Sequence, residues 1–213
     1  MATAYDWRQF AKSETKLWLT SDIINRCRIL SANCLSLNAE CSNVFYGTFD
    51  NKANVAVMDR MSDMCLTSDP GAGNYLASSH SNSVLDDPAC YNAFERFWES
   101  ATENSCILFV HTHMFGQYLE DGSLYEDFWK FSSADLNGYI GHAEILARKK
   151  VKFFGGILYI CKDFRVGLAI VRLNEERNKF YHVNDINLID YNNGLRSSLN
   201  ADSYGSQYIG YAR

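Results

Sequence analysis

The sequence predicts an α/β domain of the α+β type, in which a mixed and mostly antiparallel β-sheet is flanked by helices. Three observations lead to this fold class. Apolar residues recur at helical spacing in three places, and short apolar runs of strand length lie between them. The resulting order is strand, helix, hairpin, helix, strand, helix and further strands. The chain has 213 residues, of which 47% are apolar, enough for the core of one sizeable domain.

The first half of the chain is expected to supply an arm, a strand, a helix and a hairpin. Residues 1–15 are predicted to be an N-terminal arm, either a short helix or a loosely docked segment. Lys16–Thr20 has strand composition, and Ser21 is a suitable N-cap for the helix that follows. Steps of four and three between apolar residues predict that helix over residues 22–36. Strands around 44–46 and 55–58 are then expected to pair as an antiparallel hairpin.

The middle of the chain is predicted to contain two insertions with a helix and a strand between them. Residues 62–90 are polar and rich in turn residues, and residues 114–131 are aromatic and acidic. Apolar residues at helical spacing predict a second helix over residues 90–102. The apolar run 106–110 reads as a buried strand that ends at His111.

The last part of the chain is predicted to return to the sheet. Ser132 or Ser133 caps a third helix, which is followed by strands at 153–161 and 166–173 and by a further strand at 180–183 or 186–189. The expected domain spans residues 16–190. The polar remainder, 191–213, is expected to be a tail or a segment that orders only by docking.

Composition excludes several classes of function. The formal net charge of −5 argues against nucleic-acid binding, which requires a basic face. The sequence contains no apolar run of membrane-spanning length, and the N-terminus does not resemble a leader peptide, so a cytoplasmic location is expected. Seven scattered cysteines without a Cys-x-x-Cys pair predict buried thiols in a reducing compartment.

The candidate site lies at the end of the 106–110 strand. Side chains alternate along a strand, so His111 and His113 point to the same face and can bind one metal ion. Asp135, in the first turn of the following helix, is the natural third ligand. Ser132 lies three residues earlier and can reach the site with its hydroxyl group. Glu40, just before the 44–46 strand, is placed to act as a general base.

At these positions the chain resembles the JAMM zinc metalloproteases of the JAB/MPN (MPN+) family. The resemblance is carried by His111-Thr112-His113, by Ser132-Ser133-Ala134-Asp135, and by Glu40 ahead of the apolar strand that ends at Gly47. It covers roughly residues 16 to 173. The sequence departs from the family pattern at Asn43, at Met114, and in a spacer before Ser132 that is about ten residues longer.

The resemblance implies a JAB/MPN-like fold, similar to the cytidine-deaminase-like sandwich, and one zinc ion (Zn²⁺) per chain. His111, His113 and Asp135 would be the zinc ligands. Glu40 would be the general base that activates water, and Ser132 would stabilise the oxyanion. The reaction implied is cleavage of amide or isopeptide bonds in a protein or peptide substrate, typically a conjugate of ubiquitin or a ubiquitin-like protein.

Two other functions remain open from the sequence. One is a catalytically inactive MPN-like scaffold that has lost the metal, although residues of every ligand type are present. The other is a metal hydrolase that acts on a small molecule or a short peptide. The aromatic residues of 115–131 are expected to form a small core over the site or, alternatively, to line a substrate groove. The sequence leaves the oligomeric state open.

Overall fold

An eleven-stranded mixed β-sheet forms the centre of the computed structural model, which describes residues 3–37, 40–61, 88–115, 127–190, 195–199 and 207–212. The strands are β1 (Ala4–Tyr5), β2 (Ala11–Lys12), β3 (Lys16–Thr20), β4 (Ser42–Asp50), β5 (Val55–Met61), β6 (Ser105–Met114), β7 (Phe131–Ser132), β8 (Lys152–Ile160), β9 (Arg165–Leu173), β10 (Phe180–Val183), β11 (Asp185–Asp190), β12 (Leu195–Ser198) and β13 (Gln207–Tyr211). The helices are α1 (Ser21–Leu37), α2 (Pro88–Ser100) and α3 (Ser133–Leu146).

The sheet is mixed, as predicted. Its strand order is β12-β11-β3-β5-β4-β6-β8-β9-β10-β2, with β13 paired to β9, while β1 and β7 form a separate two-stranded ladder. Antiparallel pairings outnumber the parallel ones, which join β3 to β5 and β11, β6 to β8, and β10 to β2. Because β6 and β8 are parallel, the chain between them must cross over the sheet, and that crossover contains α3.

The two faces of the sheet carry separate cores, and β6 contributes to both. Leu108 and Val110 point to the face covered by α1 and pack in the cluster that contains Leu30. Ile107 and Phe109 point to the opposite face and pack with residues of α2 and α3. This alternation assigns His111 and His113 to the second face, the one on which α3 lies.

The predicted helices and strands are present, with adjusted bounds. The second helix begins at Pro88, so it includes the last three residues of the predicted insertion 62–90. The two alternatives for a late strand are both realised, as β10 and β11. Residues 62–87 and 116–126, which make up most of the two predicted insertions, lie outside the described residues. Among the described residues, no helix has the length and apolar character needed to span a membrane.

The two ends of the chain are more closely integrated than the expected arm and tail. Of the two alternatives for the N-terminal arm, the short helix agrees with a 3-10 helix at Trp7–Gln9. Trp7 is buried, with 1% of its surface exposed, so the arm is anchored in the core rather than loosely docked. At the other end, β12 pairs with β11, and β13 pairs with β9. The polar composition of 191–213 led to the prediction of a tail because a strand held mainly by backbone hydrogen bonds leaves little apolar pattern. The alternative, ordering by docking, agrees with these pairings.

The described cysteines behave as structural thiols. Cys27, Cys34, Cys41 and Cys106 are buried, Cys161 is half-buried, and none of these five residues forms a disulfide. Burial raises the pKa of Cys27 and of Cys34 to about 12. Such thiols stay protonated at neutral pH and are poor nucleophiles.

Candidate metal centre

The end of β6 fixes the two candidate histidine ligands. His111 is paired with Ser42 of β4 and with Ile157 of β8, and His113 is paired with Tyr159. A strand held on both sides cannot slide in register, so both imidazoles stay on the α3 face. His111 and His113 are 8% and 3% exposed, well shielded from water.

The third candidate ligand comes from the start of α3. Ser132 is the N-cap residue, and its Oγ accepts a hydrogen bond from the Asp135 amide at 3.1 Å. In return, Oδ2 of Asp135 accepts from the Ser132 amide at 2.6 Å, which completes a capping box. The capping box directs the Asp135 carboxylate back towards β6 instead of outwards along the helix.

Asp135 and the two histidines meet in one cluster. Nε2 of His111 lies 2.9 Å from Nε2 of His113 and 3.2 Å from Oδ1 of Asp135. Nε2 of His113 lies 3.7 Å from Oδ2 of Asp135. Ligand atoms about 2.0–2.1 Å from one tetrahedral zinc ion would lie about 3.3 Å apart. The three side chains therefore have the separations, as well as the chemistry, of a set that could hold a metal ion.

The remaining ring nitrogens of both histidines are occupied by hydrogen bonds. Nδ1 of His113 lies 2.9 Å from the carbonyl oxygen of Phe128. A carbonyl can only accept, so this Nδ1 carries the hydrogen and the Nε2 of the neutral ring keeps its lone pair. Nδ1 of His111 lies 3.2 Å from the hydroxyl of Tyr139. In both rings the atom that faces Asp135 is the one available for a metal.

Tyr139 is held in place by a close approach to β8. Its hydroxyl donates to the carbonyl of Gly156 at 3.1 Å, which leaves the phenol oxygen to accept from Nδ1–H of His111. The ring lies against Gly155, where an added Cβ would come within 2.3 Å of the Tyr139 ring. Burial, followed by the charge of Asp135, raises the pKa of Tyr139 well above its usual value, so the phenol remains a donor.

The cluster is strongly coupled in charge. Burial alone would raise the pKa of Asp135, but the adjacent His111 and His113 and the Ser132 amide outweigh it and hold that pKa well below its usual value. Burial opposes a charge on His111, yet the Asp135 carboxylate raises the pKa of His111 above its usual value. Burial, and then His111, lower the pKa of His113. Two buried imidazoles beside one carboxylate thus form a site that favours a cation.

Glu40 lies near this cluster, in the segment that leads into the neighbouring strand β4. Cys41 is bonded to β6 twice, because its amide donates to Oγ1 of Thr112 and its carbonyl accepts from the Thr112 amide. The antiparallel register of β4 and β6 ends at the pair of Ser42 and His111, two residues after Glu40, so Glu40 enters the sheet next to the two histidines. Glu40 is half-buried, and its charge favours the protonated forms of both histidines.

Of the two serines that the sequence offered, Ser132 is the one bonded to Asp135. Its Oγ accepts the Asp135 amide in the capping box, and a hydroxyl that accepts one hydrogen bond can still donate its hydrogen to a substrate oxygen. Ser133 is the first residue of α3, and its amide donates to the carbonyl of Thr3. His111, His113, Ser132 and Asp135 therefore lie on elements that meet at the end of β6, and Glu40 lies just before β4.

Sequence reasoning missed the residues that orient the ligands. Tyr139 follows Asp135 by four residues, a spacing that places both on one face of α3, and this was the available signal. The Phe128 carbonyl is a backbone group and leaves no pattern in the sequence. Phe128 and Phe131 pack in the core cluster of this face, in agreement with the small core expected from the aromatic residues.

Compared with known proteins, the chain matches no protein-family model, and no curated protein matches it significantly.

Proposed function

We propose that this protein is a zinc-dependent hydrolase of the JAMM type, which cleaves amide or isopeptide bonds. The observation that carries the proposal is the buried cluster of His111, His113 and Asp135, in which both imidazoles offer Nε2 and have Nδ1 occupied elsewhere. Two imidazoles and one carboxylate are a frequent ligand set of catalytic zinc, which leaves a fourth position for water or substrate.

The order of the elements supports the finer assignment. A strand and helix α1 come first, then Glu40 and the hairpin, then α2, the His-x-His strand and the Ser-x-x-Asp helix. This is the order that the JAB/MPN resemblance implies, and we propose that the fold is JAB/MPN-like and similar to the cytidine-deaminase-like sandwich. The absence of a family match makes the proposal depend on the site itself.

In the proposed hydrolysis, the metal ligands, Glu40 and Ser132 each have a separate role. A zinc ion held by the cluster would supply Lewis-acid chemistry, polarising a carbonyl group and acidifying water. Glu40 takes the proton of the attacking water and passes it to the leaving amine as the C–N bond breaks. Ser132 donates its hydroxyl hydrogen to the carbonyl oxygen as negative charge develops there, which in comparable sites accounts for about 10²–10³ in rate.

The proposed substrate is a protein or peptide, and specifically a conjugate of ubiquitin or a ubiquitin-like protein. This part rests on the resemblance of the motif. A chain that hydrolyses short peptides but leaves isopeptide-linked conjugates intact would instead be a peptidase or a small-molecule hydrolase. A chain that binds no metal would be a scaffold.

Metal content separates these functions. Protein purified without chelators should contain about one zinc per chain by elemental analysis. His113→Ala should abolish metal binding, whereas His142→Ala, which changes a histidine outside the cluster, should retain it. Glu40→Gln should keep the zinc and lose hydrolysis of an isopeptide-linked reporter by about 10²-fold or more. Wild-type protein that remains metal-free after incubation with zinc would rule out the proposal.

A further inference from the structure

The segment from Phe128 to Asp135 carries three groups of the candidate centre. The Phe128 carbonyl orients His113, Ser132 caps α3, and Asp135 supplies the carboxylate. These groups come from the crossover between β6 and β8 rather than from the sheet itself. Their position relative to the two histidines therefore depends on what holds the crossover in place.

The N-terminal arm packs against this segment and restrains it through backbone pairing. Ala4 is paired with Ser132 and Tyr5 with Phe131 in the antiparallel ladder of β1 and β7. The carbonyl of Thr3 accepts a hydrogen bond from the Ser133 amide at 2.9 Å. The arm thus contacts Ser132 and both of its chain neighbours through the backbone.

Side chains of the arm hold the other end of the segment. Nε1 of Trp7 donates to the carbonyl of Trp129 at 3.0 Å. The guanidinium group of Arg8 lies 4.3 Å from the centre of the Trp129 ring. The same group donates two hydrogen bonds to the Asp6 carboxylate, at 2.8 and 2.7 Å. Trp129 follows Phe128 directly, so these contacts restrain the carbonyl that orients His113.

The arm is itself fixed to the sheet. The Trp7 ring is buried and lies 4.5 Å from the ring of His182 on β10. Strand β2 pairs with β10, and the Ser13 amide donates to the His182 carbonyl at 2.7 Å. The arm therefore joins one edge of the sheet to the crossover, along a path that does not pass through β6.

We infer that arm residues 3–8 are positioning residues of the metal centre, which set the Phe128 carbonyl, Ser132 and Asp135 against the two histidines. The inference rests on the proposed metal-dependent function. Groups that hydrogen-bond to metal ligands without touching the metal typically contribute to affinity, and their removal weakens metal binding by about 10- to 100-fold. The β1 ladder is expected to act on metal affinity more than on the fold, because it is only two residues long and 39% of Tyr5 is exposed.

A pair of substitutions at Tyr5 tests the ladder. Tyr5→Pro removes a backbone N–H from β1, whereas Tyr5→Ala keeps the backbone and removes only the half-exposed side chain. Trp7→Phe keeps an aromatic ring in the core and removes the donor to Trp129, with Trp98→Phe as its control for the loss of an indole ring. Cobalt(II) is the probe, because its visible absorption reports both affinity and coordination geometry.

Tyr5→Pro and Trp7→Phe should raise the dissociation constant for cobalt(II) by about tenfold or more and alter the visible spectrum, while both controls stay within about twofold of wild type. Circular dichroism should show that each variant is folded. Wild-type affinity and spectrum in folded Trp7→Phe and Tyr5→Pro would overturn this inference alone. Failure of the wild-type protein to bind cobalt(II) or zinc would overturn the proposed function, and the inference with it.

Discussion

The hydroxyl of Tyr139 joins a candidate metal ligand to the sheet, since it lies 3.2 Å from Nδ1 of His111 and donates to the carbonyl of Gly156 at 3.1 Å. The phenol has one hydrogen and gives it to Gly156, so the His111 ring must supply its own hydrogen from Nδ1. In the neutral ring the hydrogen is therefore on Nδ1, and Nε2, which faces Asp135, carries the lone pair. The orientation of one ligand is therefore determined by a residue that would not itself touch the metal.

Tyr139→Phe should weaken zinc binding by about 10- to 100-fold, because the ring would still pack but His111 would lose its hydrogen-bond partner. The buried Gly156 carbonyl would also lose a donor, at a cost of about 1–3 kcal/mol in the free energy of unfolding. Competition with a chelator of known affinity measures the first effect. Tyr46→Phe, which removes the hydroxyl of another buried tyrosine on this face, should leave zinc affinity unchanged. Unchanged affinity in Tyr139→Phe would contradict the assigned role.

Gly155→Ala should destabilise the protein, whereas Gly141→Ala should stabilise it. A Cβ at Gly155 would come within 2.3 Å of the Tyr139 ring, and forcing such an overlap in a core costs about 1–3 kcal/mol. At Gly141, on the exposed side of α3, a Cβ would meet nothing within 4 Å, and alanine is favoured in a helix by about 1 kcal/mol. Urea unfolding of the two variants measures both changes. Equal stabilities would show that the ring can move aside at no cost.

Ser132→Ala and Ser133→Ala should differ in both stability and rate. Loss of the Ser132 hydroxyl removes the cap of α3, at about 1 kcal/mol, and also removes the proposed oxyanion donor. The rate constant kcat on an isopeptide reporter should fall by about 10²-fold in Ser132→Ala and by less than about threefold in Ser133→Ala. Zinc content should stay near one per chain in both variants. A larger loss of kcat in Ser133→Ala would reverse the assignment.

The stability of the metal-free protein should fall as the pH is lowered from about 6.5 to about 4, in part because of His182. Burial, and then the charge of Lys12, lower the pKa of His182 to about 4. The unfolded chain, with a histidine pKa near 6.5, binds the proton more readily across this range, so the stabilisation is complete above pH 6.5 and is lost towards pH 4. His182→Gln should flatten this part of the profile in thermal unfolding with chelator present. An unchanged slope would assign the effect to other groups, such as His142, whose pKa burial also lowers.

The sequence alone predicted the α+β fold class, the principal strands and helices, and the convergence of His111, His113 and Asp135 on one region. These predictions depended on local regularities, namely the helical stripe of α1, the alternation of side chains along β6 and the capping signal before α3. Such regularities are readable because each residue's role is determined by near neighbours.

The supporting residues were not predictable in the same way. The contact of Tyr139 with Gly155 joins residues of α3 and β8, and neither segment alone identifies that contact. The arm meets the crossover through backbone pairs between Ala4 and Ser132, which impose no requirement on residue type. The pairing of β13 with β9 is likewise a contact between distant parts of the chain. Long-range backbone contacts of this kind leave little trace in the order of the residues.

The capping box at Asp135 also has a consequence for metal selectivity. Oδ2 of Asp135 accepts the Ser132 amide at 2.6 Å, so the start of α3 already occupies one of the two carboxylate oxygens. Calcium requires about six to eight oxygen ligands and commonly takes both oxygens of a carboxylate. Two imidazoles beside a carboxylate that is partly held by the helix start would favour zinc or cobalt, which accept nitrogen ligands and low coordination numbers. In the proposed centre, a helix start would thus disfavour abundant hard cations by limiting the number of oxygen atoms that they can reach.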